Sequence, residues 1–127
     1  MTNPLIYEIN GRIWFNSLKK QHGKHIDLAS IPDSEIKRLK KMNLDYLWVM
    51  GLWQTCKKSI EVSRNYQPVQ KEYHAALADL EESDIAGSPF AIAGYQPAKI
   101  FGPIQSLHKF LRDIEPAGPG SFTFGFL

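Results

Sequence analysis

The sequence predicts an α/β protein. Two strongly apolar segments, residues 5–9 and 44–50, flank a capped amphipathic helix, and a second amphipathic helix begins near Gly102. A strand, a crossover helix and a second buried strand make a βαβ unit, whose connection is right-handed.

Leu5-Ile6-Tyr7-Glu8-Ile9 is rich in apolar and aromatic residues and is stopped by Asn10-Gly11. It resumes as Arg12-Ile13-Trp14-Phe15 before Asn16-Ser17, which reads as a buried strand running into a loop. Ser30-Ile31-Pro32-Asp33 then fits a Ser-x-x-Asp helix start, with Pro32 in the first turn, where its missing N–H costs nothing. Acidic Asp33 and Glu35 come first and basic Lys37, Arg38, Lys40 and Lys41 last, complementing the helix dipole. Ile36, Leu39 and Met42 recur on one face. Leu44 to Met50 is almost continuously apolar, the pattern of a parallel strand covered on both faces.

Lys57 to Leu80 is polar and helical, with Val69, Tyr73, Ala76, Leu77 and Leu80 as its apolar stripe, and reads as an insertion after the second strand. In Gly87 to Pro97, glycine and proline recur too often for a regular element, so a loop is expected. From Gly102-Pro103 a second crossover helix begins, with Ile104, Leu107, Phe110, Leu111 and Ile114 spaced to face a sheet and Pro103 at its first position.

The 127 residues are 43% hydrophobic and 22% charged, enough apolar material for one core, which excludes disordered and collagen-like chains. Fifteen basic against thirteen acidic residues leave +2, without the clustered excess that a phosphate-binding surface needs, so nucleic acid is excluded as a partner. The longest apolar run, Leu44 to Trp53, is broken by Asp45 and Gly51 and falls well short of the roughly 20 residues that span a bilayer, so no membrane partner is expected. No basic region followed by an apolar stretch opens the sequence, and a cytoplasmic location is expected. Cys56 is the only cysteine, which excludes an internal disulfide and any zinc site with two thiolates. His22 and His25 flank Gly23-Lys24 but have no further ligands beside them, and neither a metal nor another cofactor is expected.

Three blocks carry a resemblance: residues 6–14, residues 45–54 (Asp-Tyr-Leu-Trp-Val-Met-Gly-Leu-Trp-Gln), and residues 87–95 (Gly-Ser-Pro-Phe-Ala-Ile-Ala-Gly-Tyr) followed by Phe101-Gly102. In this order and spacing the chain resembles the first part of the α-amylase family of glycoside hydrolases, over residues 5–115. Phe90 stands where the family commonly has tyrosine, and Pro103 where a capping Thr or Ser is usual, leaving Gly102 as the cap.

The resemblance implies the N-terminal fragment of a (β/α)8 TIM barrel, comprising two strands, two crossover helices and the helical insertion. It also implies a retaining hydrolase or transglycosylase acting on an α-glucan or α-glucoside. Such enzymes use two carboxyl groups about 5 Å apart, one as nucleophile and one as general acid. The resemblance puts the nucleophilic Asp after the fourth strand, the acid Glu after the fifth and a supporting Asp after the seventh, and the chain contains none of these strands. The family's Asp-x-x-x-Asn-His block is absent too, so no catalytic residue is assigned and the chain alone is expected to be inactive. Calcium is implied only for a full-length parent.

One family position is matched. Tyr95 corresponds to the aromatic that stacks on the sugar ring next to the cleaved bond, an apolar contact that orients the ring at small entropic cost. Without the family, packing of the loop is the simpler role for it. Trp53 and Gln54 end the second strand on the face where barrel active sites lie, with packing as their expected role. Asp27, Asp45, Glu81, Glu82 and Asp84 are scattered and form no acid and nucleophile pair.

Residues 1–115 are thus expected to be a barrel portion, and 116–127 an atypical Pro/Gly/Phe tail left by truncation or frameshift where a third apolar strand belongs. A barrel needs roughly 250 residues to close its sheet, so marginal folding is expected. A small stand-alone α/β binding or interaction domain is the alternative. A third possibility is a separately encoded C-terminal fragment that docks to complete the barrel.

Overall fold

The computed structural model describes residues 3–115. Its order is β1 (Ile6–Asn10), α1 (Gly11–His22), α2 (Asp33–Lys41), β2 (Tyr46–Met50), β3 (Trp53–Thr55), α3 (Lys57–Asn65), α4 (Gln67–Ala76), β4 (Ile92–Pro97) and α5 (Ile104–Ile114), with short 3-10 turns at Leu28–Ser30, Glu82–Asp84 and Lys99–Phe101. The chain is α/β and divides into two compact units, one of residues up to Leu52 and from Gln96 onward, the other Trp53–Tyr95. The Phe122, Phe124 and Phe126 tail lies outside the described residues.

The first unit is built on the expected parallel pair. β1 lies beside β2 in parallel, with Ile9 opposite Val49 and Tyr7 opposite Leu47. Ile9, Leu47 and Val49 are buried, whereas Ile6 and Glu8 are exposed and their partners Tyr46 and Trp48 half-buried. The expectation of a strand covered on both faces is therefore corrected: side chains alternate across a strand, and only one face of this pair is packed.

Residues 11–22 are a helix, not the expected strand running into a loop. Asn10 caps it, its side-chain oxygen accepting the Ile13 N–H at 3.3 Å. Trp14, Phe15 and Leu18 recur on the buried face, and Gly23 ends the helix at φ 109 by donating its N–H to Lys19. Gly11 has no room for a side chain, because a Cβ there would lie 2.8 Å from the Met50 carbonyl oxygen and 2.9 Å from the Phe101 ring.

The helix α2 forms as expected, with Ile36 and Leu39 buried, but its cap is reassigned. Pro32 is the N-cap and makes no side-chain bond, while Ser30 closes a capping box with Asp27 over the preceding 3-10 turn. The helix expected from Gly102-Pro103 is α5, which buries Ser106, Leu107, Phe110 and Ile114, and Pro103 is its N-cap rather than its first residue. Phe15 packs edge-on against Phe101 with centroids 4.8 Å apart, and Trp14 contacts both Phe15 and Phe110. Each fully buried aromatic contributes about 1.5–3 kcal/mol relative to exposure, so this cluster is the centre of the first unit's core.

Polar contacts fix the helices. Asp27 accepts hydroxyl hydrogen bonds from Ser106 at 2.7 Å and Ser30 at 2.8 Å, joining the 3-10 turn to α5. Glu35 accepts the Trp14 indole N–H at 2.8 Å and two bonds from Arg38, at 2.7 and 2.9 Å. Asp45 accepts the Leu5 N–H at 2.7 Å, setting the start of β1 against the approach to β2.

In the second unit, the helical insertion is present as α3 and α4. Its expected apolar stripe is not a core: Val69 and Tyr73 are half-buried, Ala76 and Leu77 exposed. The loop expected over residues 87–97 is corrected from Ile92 onward, where β4 pairs with β3 in a two-stranded sheet. Pro97 stands at the last position of β4, where its missing N–H breaks no run of ladder bonds.

Candidate functional site

Gly51, at φ 78, turns the chain out of β2, so Trp53 and Gln54 begin a new strand instead of ending the second one. The Cys56 N–H donates to the Ala91 carbonyl at 2.7 Å, bringing the far end of β3 to the approach to β4. This pairing sets the Trp53 indole against the Tyr95 ring, edge to face, with centroids 5.5 Å apart and planes at 83°. Trp53 is half-buried, whereas Tyr95 is 74% exposed and presents its ring to solvent. Gly94 beside it would place a Cβ in open space, so no neighbouring side chain screens the tyrosine from that position.

A second exposed ring, Phe90, is carried by the turn before β4. That turn is held to α3: the Ser88 N–H donates to Ser59 Oγ at 2.9 Å, and the Phe90 N–H donates to Ser88 Oγ. Gly87, at φ 74, makes the bend, and a Cβ there would meet Ile60 N, Ser59 Oγ and Thr55 Cγ2, each at 3.0 Å. The second unit thus exposes aromatic rings at Tyr95 and Phe90, groups suited to stacking on flat apolar faces such as the C–H face of a sugar.

The acidic residues do structural work. Asp27 and Glu35 are the carboxylates with shifted affinities, and both are lowered. For Asp27, partial burial pushes the pKa up, but hydrogen bonds from the Ser106 and Ser30 hydroxyls and from the Ala29 and Ser30 amides outweigh it. For Glu35, the Arg38 hydrogen bond lowers the pKa, partial burial opposes it, and the Trp14 indole and the positive charges of Arg38 and His22 lower it further. A general acid needs the opposite shift. Asp84 Oδ2 accepts the Glu81 N–H at 2.9 Å, closing a 3-10 capping box, and Glu82 lies 3.9 Å from Arg64. Glu81 and Asp84 bond to each other only through the backbone amides of that capping box, and Asp27, Asp45 and Glu82 meet other groups, so no hydrogen bond joins carboxyl to carboxyl among the five acidic residues named from the sequence.

Among the described residues, no group of three or more His, Cys, Asp or Glu side chains is placed to hold a metal ion, and no helix is long and apolar enough to cross a membrane. The sequence marks Phe90 only as a departure from the family's tyrosine, and nothing in it signals the Trp53 contact with Tyr95. The signal available for the exposed rings was the two aromatics of the 87–95 block, Phe90 within it and Tyr95 at its end, and the Trp53 contact takes its geometry from the β3 and β4 pairing. No protein family, curated protein or solved structure matches the chain.

Proposed function

We propose that this chain is the N-terminal portion of an α-amylase-type retaining glycoside hydrolase or transglycosylase barrel, and that Tyr95 is its sugar platform for an α-glucan or α-glucoside. The carrying observation is the 74% exposed Tyr95 ring braced edge-on by Trp53, at the one position where the resemblance expects sugar contact. The parallel β1 and β2 pair with helices between its strands is consistent with the first βαβ step of such a barrel. Retaining chemistry needs two convergent carboxyl groups, and Asp27, Asp45, Glu81, Glu82 and Asp84 are each engaged in structural contacts, so this portion binds sugar without cleaving it.

The test is titration of the full chain with a maltooligosaccharide, followed by tryptophan fluorescence through Trp53. Binding at millimolar concentration, lost in Tyr95→Ala and kept in Tyr95→Trp, is the expected result. Equal responses from wild type and Tyr95→Ala would sink the assignment, and release of glucose from an α-glucoside would refute the absence of turnover.

A second reading, a stand-alone α/β binding or interaction module, is favoured by the first unit's own packed core, in which Phe15, Phe101 and Phe110 are all but inaccessible. A monomer that unfolds in one sharp transition supports that reading. Aggregation relieved by a co-purifying partner with the missing strands supports the barrel portion.

A further inference from the structure

We infer that residues 53–95 open and reclose as one unit while the first unit stays folded, so that the aromatic pair is carried on a segment that melts locally. The inference does not depend on what the pair binds. Ordering a residue costs on the order of 1–2 kcal/mol, and burial is the main term that offsets it. From Trp53 to Tyr95 no residue is buried, and Val62, Tyr66, Leu77 and Phe90 are exposed. Helices α3 and α4 have nine and ten residues, and neither has a side-chain bond at its N-cap. Both fall below the roughly 12–15 residues at which an isolated helix becomes even marginally stable in water.

The ties within the segment are hydrogen bonds rather than packing. They include Gln70 Nε2 to the Ser63 carbonyl at 2.6 Å, Arg64 to the Glu82 carbonyl at 3.3 Å and the Ser88 amide to Ser59. Where water competes, such bonds contribute little net stability. At the base of the excursion the position reverses. The Ala98 N–H donates to the Leu52 carbonyl at 2.8 Å between two buried residues, both of the first unit, so opening stops there. Gly87 explains why the segment moves together, since its bend touches β3 through Thr55 and α3 through Ser59 and Ile60 while leading into β4. Regions with this balance of contacts are the ones that open sub-globally.

Hydrogen exchange on the full chain, read by mass spectrometry, tests this. Amides of α3 and α4 are expected to exchange about 100-fold or more faster than those of β2 and α5. Gly87→Ala should accelerate exchange in α3, α4 and β4 together and leave the slowest amides of β2 and α5 unchanged, even if the substitution melts the segment outright. The proposal is overturned if α3 and α4 are as protected as β2. It is likewise overturned if Gly87→Ala accelerates only amides beside position 87, or accelerates β2 and α5 by the same factor as α3.

Discussion

Phe15 and Tyr95 are both aromatic residues in regular elements, yet the first is 0% exposed and the second 74%. The difference is one of neighbours. Phe15 sits on a helix that meets a sheet face and α5 at once, so its ring displaces water on every side. Tyr95 sits on a two-stranded ribbon, which has no third layer to cover it, and isolated two-stranded sheets are marginal in water. The first unit has a core with polar ties at its margins, whereas the second has polar ties and no core. Buried core and exposed aromatic surface are therefore divided between the two units.

This division is broken most severely at the aromatic cluster. Phe15→Ala should cost about 3–5 kcal/mol in urea unfolding, because a rigid cluster cannot collapse into the void. A cost below about 1 kcal/mol would show that the first unit is not where stability resides. Gly11→Ala comes next, at about 1–3 kcal/mol, since its methyl must displace the Met50 carbonyl or the Phe101 ring.

Acid acts more gently. Asp27 and Glu35 have pKa values below those of free carboxyls, so the stability they contribute is present above the unfolded-state values, near pH 4, and is lost as pH falls through the folded ones. The urea midpoint should therefore drop between about pH 5 and pH 2, and Ser106→Ala, by removing one donor to Asp27, should flatten that drop. An equally steep profile in the variant would detach Asp27 from the effect. Smallest of all is Tyr66→Ser, on the exposed surface of the second unit, which should shift global stability by no more than about 0.5 kcal/mol.

How far the sequence could be read depended on whether local signals and tertiary packing agreed. They agree in α2 and α5, where the Ile36 and Leu39 pair and the Leu107, Phe110 and Ile114 series mark faces that are buried as expected. They also agree in the parallel pairing of β2 with β1. At Asn10-Gly11 the same two residues can end a strand in a turn or cap a helix, and only the packing of Trp14, Phe15 and Leu18 decides for the helix. At Ser30 the capping pattern was real but belonged to Asp27 three residues earlier. β4 was hidden by Gly94 and Pro97, which a short ribbon tolerates because few ladder bonds depend on them. Tyr95 was legible as a candidate, whereas its brace by Trp53 was not, because the two residues lie far apart in sequence.

The Asp27 to Ser106 hydrogen bond spans 79 positions and has a consequence during synthesis. Until α5 has emerged, the faces of α1 and the 3-10 turn that it covers have nothing to pack against. At roughly 5–20 residues per second, the ribosome takes several seconds to reach α5 after finishing β2. For that interval Trp14 and Leu28 are available to chaperones or to neighbouring nascent chains, and the whole low-burial excursion must be threaded out before the core can close.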